Sequence, residues 1–381
     1  MILKNAKITD ESFEIIEADI LTEGERILKI APKGTLNEDG QEVLDLTGKL
    51  ILPGFIDIHI HGSFDTDTGD ATYEALENMS SYLVKNGVTS FCPTSMTLWE
   101  ADLHKVLGNA KNAMDKGVSG AYIQGVNMEG PYISISKIGA QNPAFQHKPD
   151  PAEFKRLYEA CGGIVKLVDI APEEEGGDEF IKEVAPLCTI SIAHTAATYE
   201  QAKHGFDLGI SHATHLFNAM SGLSHREPGV VGAVFDSDVT AEIICDGHHI
   251  NPAVLRIAFS QLGEDRPVII SDACSGAGLP DCDRELGGQP IYIRGGLARL
   301  ANGTIAASAS NMLQEFKNLI SYGVPFKSAA KAASINPARV IREDANTGSI
   351  KEGKLADLLV LNEEDLELAA VIVKGELKVK N

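Results

Sequence analysis

Short apolar runs recur along the middle of the chain and alternate with amphipathic stretches. Eight of these runs have the length and composition of buried strands: 55–60, 90–94, 122–127, 165–170, 189–194, 211–215, 241–245 and 267–272. Helical periods separate them, most clearly at 72–86, 153–160, 199–208 and 252–261. Because strands that are apolar on both faces belong to parallel sheets, eight such units predict an α/β fold with a (β/α)8 TIM barrel.

The two ends of the chain have a different pattern. Residues 15–20, 26–30, 356–361 and 370–375 alternate apolar and polar positions and are separated by turn residues. This is typical of a β-meander, and the simplest packing joins both ends in one small β-sandwich domain. We therefore predict two domains, 1–51 with 350–381 and 52–349. For the central strands, a doubly wound sheet is the alternative to the barrel, but no Gly-x-Gly-x-x-Gly turn follows the first of them.

The charge balance narrows the choice of partners. The chain of 381 residues has 33 Lys and Arg against 54 Asp and Glu, a net charge of −21. This disfavours a broad surface for nucleic acid or for an anionic membrane. No apolar stretch approaches the ~20 residues of a transmembrane helix, and the first residues lack the apolar core of a signal peptide. The six cysteines form no Cys-x-x-Cys pair, so we expect reduced thiols and a cytoplasmic location.

Ionisable residues stand where the predicted strands end. In a TIM barrel these carboxyl ends share one face, where active sites are built. On a strand, residues i and i+2 point to the same side, so the first strand directs two imidazoles into one space. One such residue alone is often a structural histidine or a helix N-cap, but six at equivalent positions indicate a metal site. The candidate ligands are His59, His61, Glu129, His194, His215 and Asp272.

This ligand set has consequences for the chemistry. Imidazole and carboxylate without thiolate suit Zn²⁺, Fe²⁺ or Mn²⁺, and the set does not choose between them. The number of ligands allows one or two ions per chain, with Glu129 as a bridge between two. Such a site acidifies water and polarises a carbonyl oxygen. The pattern therefore predicts a hydrolase.

Two motifs resemble the amidohydrolase superfamily, PGFIDIHIH at 53–61 and GSIKEGKLAD at 348–357. Most of that superfamily has a carbamylated lysine at the end of strand four, where this chain has Ala171-Pro172-Glu173. Glu129, in the sequence MEGPY, is instead characteristic of the N-acetylglucosamine-6-phosphate deacetylases. Further segments are similar to that family in the same order along the chain: 193–199, 213–220, 226–229, 246–249 and 303–308.

The resemblance implies a role for each matching residue. Glu129, His194 and His215 would hold the ion that activates water. Asp272 would take a proton from that water and return it to the leaving amine, and His249 would polarise the acetyl carbonyl or contact the sugar. The implied substrate-binding residues are Ala140, Gln141, Asn218, Ala219, Arg226, His249, Ile305, Ala306 and Ala307.

The resemblance also bears on ions and assembly. Some members have lost the His-x-His pair and use a single ion; this chain keeps both histidines, so two ions are favoured. Arg226 would bind the substrate phosphate through its guanidinium; in the family this arginine reaches the neighbouring subunit's site, which implies a homodimer. Gln141 stands where several members have a histidine that touches the sugar phosphate. Glutamine can donate hydrogen bonds there but adds no positive charge.

The expected function is the hydrolysis of N-acetylglucosamine 6-phosphate to glucosamine 6-phosphate and acetate, in amino-sugar catabolism. The motifs do not separate epimers, so N-acetylgalactosamine 6-phosphate or another N-acyl amino sugar is the alternative. A cyclic-amide hydrolase is disfavoured because strand four lacks the lysine and Arg226 is present. An inactive metal-binding scaffold is disfavoured by the complete ligand set.

Overall fold

Eight parallel strands form a barrel in the computed structural model, which describes residues 1–381. They are β1 (Phe55–Ile60), β2 (Val88–Ser95), β3 (Val126–Met128), β4 (Val165–Ile170), β5 (Thr189–Ile192), β6 (His212–Ala213), β7 (Thr240–Ile244) and β8 (Pro267–Ile270). Each pairs with the next along the chain. Just beyond β8, the amide of Asp272 donates to the carbonyl of His59 at 2.9 Å, which joins β8 to β1. The predicted barrel is confirmed.

The third predicted run is divided in two. Tyr122–Ile123 pairs with the first half of β2, and β3 pairs with its end. The break falls at Gly125, where a Cβ would lie 2.6 Å from the carbonyl oxygen of Ile164. Only glycine allows the two backbones to approach so closely at this point.

Helices surround the barrel and bury their apolar faces against it. Fully buried phenylalanines from strands and helices, such as Phe91, Phe154 and Phe316, share this core. Pro151–Ala160 and Pro252–Leu262 begin with proline after a capping Asp150 or Asn251, the usual start signal. The other helices are Tyr73–Val84, Glu100–Lys116, Gly177–Val184, Tyr199–Leu208, Gly229–Phe235, Met312–Ser321, Phe326–Ala333 and Ile335–Val340, with 3-10 turns at Thr68–Asp70 and Ile135–Lys137. None of them combines the length and apolarity that a membrane crossing requires.

The two ends of the chain build one separate sheet unit. Lys49–Pro53 pairs with Lys7–Thr9 on one side and with Leu358–Asn362 on the other, so both ends meet there. The remaining strands are Ile2–Lys4, Ile15–Glu23, Arg26–Pro32, Val43–Asp45, Leu368–Val373 and Glu376–Lys380. The joining of the two ends is confirmed. The division at 1–51 with 350–381 and 52–349 stays a prediction, and the strand Lys49–Pro53 crosses its first boundary.

Asp357, the last residue of the motif GSIKEGKLAD at 348–357, connects this sheet unit to the barrel. Its buried carboxylate accepts hydrogen bonds from the Tyr122 hydroxyl at 2.8 Å, the Thr347 hydroxyl at 3.0 Å and the Lys374 amide at 2.8 Å. Burial raises its pKa above the ordinary value. The aspartate of this motif is therefore structural, since its bonds connect barrel and sheet.

A four-stranded antiparallel sheet follows β8, and sequence analysis did not predict it. Its strands are Cys282–Leu286, Gln289–Arg294, Leu297–Leu300 and Ile305–Ser308. Two-residue Gly-Gly turns, Gly287-Gly288 and Gly295-Gly296, connect the first three, and all four glycines have positive φ. Gly-Gly between alternating residues is a hairpin signal, so the sequence contained the information. The sheet contributes one wall of the cavity described next.

Candidate metal centre and active site

Three of the candidate ligands stand just after strand ends in left-handed backbone. His194, His215 and Asp272 have φ of 42°, 29° and 44°. Non-glycine residues seldom adopt this region, and such strain persists where surrounding bonds hold it. Here the carbonyl of His194 accepts from the Ser134 amide at 2.9 Å, and that of Asp272 from the Ser308 amide at 2.7 Å. The fold thus fixes these residues at the barrel mouth.

The structure brings four imidazoles around one buried carboxylate. Glu129 Oε1 lies 3.0 Å from Nε2 of both His194 and His215. Its Oε2 lies 3.2 Å from Nε2 of His61, and Oε1 lies 3.7 Å from Nε2 of His59. Two sets of donor atoms result, each within 4.8 Å, and Glu129 belongs to both. Glu129 is therefore the one residue that the two candidate sets share.

Asp272 completes the group from the far side. Its Oδ1 lies 3.3 Å from Nε2 of His61 and 3.7 Å from Nε2 of His59. Burial opposes ionisation of Asp272, yet the hydrogen bond from His61 and the charge of His59 hold its pKa below the ordinary value. Burial acts in the same way on Glu129, but hydrogen bonds from the imidazoles hold its pKa well below the ordinary value. Both groups are carboxylates, as metal ligands or a general base must be.

The imidazoles are oriented as metal ligands. Nδ1 of His194 lies 2.9 Å from the carbonyl oxygen of Lys137, and Nδ1 of His61 lies 3.3 Å from that of Thr94. A carbonyl oxygen only accepts, so each Nδ1 carries a proton, and Nε2, which faces the cluster, is the nitrogen whose lone pair a bound metal would take. Nε2 of His59 is buried with no hydrogen-bond partner. An unpartnered buried nitrogen is costly, and a divalent ion would satisfy it. The residues therefore fit the metal that the ligand pattern predicts.

Glu242 supports this cluster from inside the barrel, although it is not among the residues predicted from the sequence. This fully buried carboxylate on β7 accepts from Nδ1 of His59 at 2.9 Å, Nε2 of His212 at 3.2 Å and the amide of His215 at 3.2 Å. It thereby orients candidate ligands at the ends of two different strands, His59 and His215. The available signal was a charged residue inside the apolar run 241–245, which a purely hydrophobic strand would not contain.

A cavity of about 580 Å³ opens above the cluster, a size typical of small-molecule sites. The predicted substrate-binding residues that line it are Ala140, Gln141, Asn218, Ala219, His249, Ile305 and Ala307. Ala306 is fully buried behind this wall, and Arg226 is exposed and outside the lining. Residues that sequence analysis did not name also line it: Met96, Ser136, Lys137, Ile138, Gly139, Leu286, Asn302 and Thr304.

His249 and Gln141 are both held by groups inside the protein. Nδ1 of His249 lies 2.8 Å from Asp246, whose other oxygen accepts from the His249 amide at 2.9 Å. The oxygen of the Gln141 side chain accepts from the Thr97 amide at 2.7 Å, and its nitrogen donates to Glu129. Gln141 thus contacts a candidate metal ligand as well as the cavity.

A parallel barrel with this imidazole and carboxylate cluster at its carboxyl mouth defines a metal-dependent hydrolase of the TIM-barrel type. A family model described as amidohydrolase family matches residues 50–378. The chain belongs to that family, and it is a hydrolase that acts on amide bonds.

Similar proteins narrow the comparison. The N-acetylglucosamine-6-phosphate deacetylase of Bacillus subtilis (strain 168) is 32% identical over 383 residues, covering 99% of this chain and 96% of that protein. The N-acetylgalactosamine-6-phosphate deacetylase of Escherichia coli O157:H7 is 32% identical over 338 residues, covering 88% and 89%. A solved variant of N-acetyl-D-glucosamine-6-phosphate deacetylase from Mycobacterium smegmatis, in complex with N-acetyl-D-glucosamine-6-phosphate, has a TM-score of 0.93 and 30% identity, covering 100% and 99%.

Replacing Glu242 by Gln tests the support of the cluster. One oxygen becomes an amide that cannot accept from an imidazole N–H, so the bound tautomer of His59 or His212 loses its partner. We expect metal affinity to fall about 10- to 100-fold, the usual effect of such support residues. Competition between metal-free protein and a chromophoric chelator measures it. Glu343→Gln, which alters a carboxylate paired with Lys166 at 2.8 Å, is the control; equal affinities in both variants would contradict the role of Glu242.

Proposed function

We propose that this protein hydrolyses the acetamide of N-acetylglucosamine 6-phosphate to glucosamine 6-phosphate and acetate, in amino-sugar catabolism. The observation that carries the proposal is the Asp272 carboxylate, which lines the cavity and lies 3.3 Å from a histidine of the metal cluster. Relatives named for this reaction, matched over nearly their whole length, support it. The relative named for the galacto epimer is equally identical, so the epimer is a competing substrate in the test below.

We also propose two divalent ions per chain, of Zn, Fe or Mn. Glu129, His194 and His215 would hold one, and His59, His61 and Asp272 the other, with Glu129 shared between them. When bound, such ions polarise an amide carbonyl and acidify water. The shared carboxylate and the two overlapping donor sets support this number.

Asp272 moves the proton in the proposed reaction. Its ionised carboxylate accepts a proton from the attacking water and then gives it to the amine nitrogen as the C–N bond breaks. One carboxylate serves both steps because the proton it gains is the proton the leaving group needs. The backbone bonds at Asp272, to His59 and Ser308, keep the side chain in place between the steps.

His249 orients the substrate in this proposal. Because the Asp246 carboxylate accepts a hydrogen bond from Nδ1 of His249, Nε2 of His249 remains available to the substrate. Neutral His249 would accept there from a sugar hydroxyl, and protonated His249 would donate to the acetyl oxygen. Polar side chains in the cavity lining, Asn218 and Thr304 among them, suit a ligand with hydroxyl groups.

Two cations are candidates for the substrate phosphate. Lys137 is the one Lys or Arg that lines the cavity, and its Nζ lies 3.1 Å from the carbonyl of Met220, beside Asn218 and Ala219. We propose that Lys137 binds the phosphate within the chain. Arg226, exposed on a loop, would reach the site of a second copy, which makes the active form a homodimer.

We also propose a cellular location and a class of binding partner. The six cysteines are free and five are buried, which supports a cytoplasmic location. The partner is a small amino-sugar phosphate, and nucleic acid and membrane are not part of the proposal.

Acetate release from purified, metal-loaded protein tests the function. The substrates are the 6-phosphates of N-acetylglucosamine and N-acetylgalactosamine, and unphosphorylated N-acetylglucosamine. We expect the gluco phosphate to have the highest kcat/KM and the unphosphorylated sugar a much lower one, because it lacks the charge that the cations bind. Faster turnover of the galacto phosphate would reassign the substrate, and no acetate from any of the three would refute the deacetylase.

Replacing Asp272 by Asn removes the proton acceptor and keeps the shape. We expect kcat to fall about 10²- to 10⁴-fold, the range for loss of general acid–base catalysis. Metal analysis should still find the ion held by Glu129, His194 and His215, which separates lost chemistry from lost metal. Asp207→Asn, on an exposed helix position, is the control. Near-normal kcat in the Asp272→Asn variant would exclude Asp272 as the base.

Replacing Lys137 by Met tests the phosphate site. The backbone carbonyl that holds His194 is unchanged, so the metal cluster should stay intact. We expect KM for the phosphorylated sugar to rise about 10- to 100-fold, as for loss of a charged hydrogen bond, with KM for the unphosphorylated sugar unchanged. Arg226→Ala should do the same only if the protein is a dimer by sedimentation, and exposed Lys105→Met should not. An unchanged KM in the Lys137 variant would place the phosphate elsewhere.

A further inference from the structure

Gln141 spans two fixed groups with its side-chain amide. It is 3% exposed, and its oxygen accepts from the Thr97 amide at 2.7 Å. A backbone N–H can only donate, so the carbonyl end of Gln141 has to face Thr97. The NH₂ end therefore has to face Glu129, where it donates to Oε2. The orientation of this amide is set by the protein and not by a ligand.

The two oxygens of Glu129 are restrained unequally. Oε1 lies 3.0 Å from each of two imidazoles, His194 and His215. Oε2 has one imidazole nearby, His61 at 3.2 Å, and the amide of Gln141. A carboxylate oxygen accepts in two directions. Gln141 occupies one direction of Oε2 and leaves the other toward His61, so loss of the amide leaves Oε2 with His61 as its one remaining restraint.

The segment that carries Gln141 touches both halves of the centre. The carbonyl of Lys137 fixes His194, four residues before Gln141 fixes Glu129. Between them Gly139, with φ of 58°, passes so close that a Cβ would lie 3.1 Å from Cε1 of His194. Residues 136–141 also line the cavity. One short segment is therefore both a cavity wall and a support for the metal ligands.

We propose that Gln141 is a positioning residue that turns Oε2 of Glu129 toward His61 and so sets the affinity for the second ion. The inference rests on the two-ion part of the proposed function. It assigns Gln141 a task different from the sugar-phosphate contact expected from sequence, since both ends of its amide are engaged inside the protein.

Metal titration of three proteins tests this. Metal-free wild type, Gln141→Leu and Gln146→Leu are titrated with Zn²⁺ against a chromophoric chelator, and bound ions are counted by elemental analysis. Gln146 follows this segment along the chain and donates to the carbonyl of Ile133 at 2.7 Å, so its variant controls for loss of a nearby side-chain amide. Gln141→Asn, too short to span both groups, is the second variant if the leucine variant does not fold.

The expected result is selective. Wild type and Gln146→Leu should bind two ions, and Gln141→Leu should keep the first ion unchanged and bind the second about 10- to 100-fold more weakly. Equal affinities for the second ion, or equal weakening of both ions, would overturn the proposal.

Acetate release by the wild type separates this inference from the function. A wild type that binds one ion and still releases acetate overturns the role of Gln141 and leaves the hydrolase standing. Selective loss of the second ion, with no acetate released by the wild type, supports Gln141 and refutes the deacetylase.

Discussion

Four imidazoles converge on the buried carboxylate of Glu129, and the rest of the structure depends on holding them there. Removing ionisable groups from water costs several kcal/mol for each ion unless geometry and hydrogen bonds compensate. The barrel backbone positions these groups, because the ends of five strands direct their side chains into one volume. The strained φ of His194 and His215 shows that local conformational preference is sacrificed to that convergence.

A second layer of acceptors gives the cluster its chemical direction. Glu242 and the carbonyl oxygens of Thr94 and Lys137 accept hydrogen bonds from Nδ1 of three imidazoles, which leaves the Nε2 atoms facing inward. Without these acceptors the same histidines would be free to flip or to change tautomer, and the candidate ligands would not face one common site. The residues behind the cluster therefore decide which nitrogen each imidazole presents to it.

The walls of the cavity come from outside the barrel strands. The segment 136–141 and the antiparallel sheet after β8 supply most of its sides. This arrangement lets the barrel stay rigid while insertions shape the ligand site. The motif at 348–357 has a separate role. Its Asp357 carboxylate accepts hydrogen bonds from the Tyr122 hydroxyl and the Lys374 amide, which join the terminal sheet to the barrel.

The sequence by itself determined the barrel, the joining of the chain ends and which six candidate ligands lie together, because strand parity and strand-end position are local, periodic properties. His59 and His61 share a side whatever surrounds them. Only the tertiary structure decided which groups lie behind the ligands. That Glu242 supports His59, and that Gln141 faces Glu129, depends on register between strands and on loop paths, which no local pattern encodes. Packing decides the contacts between residues far apart in the chain, and these contacts orient the candidate ligands so that they form one site.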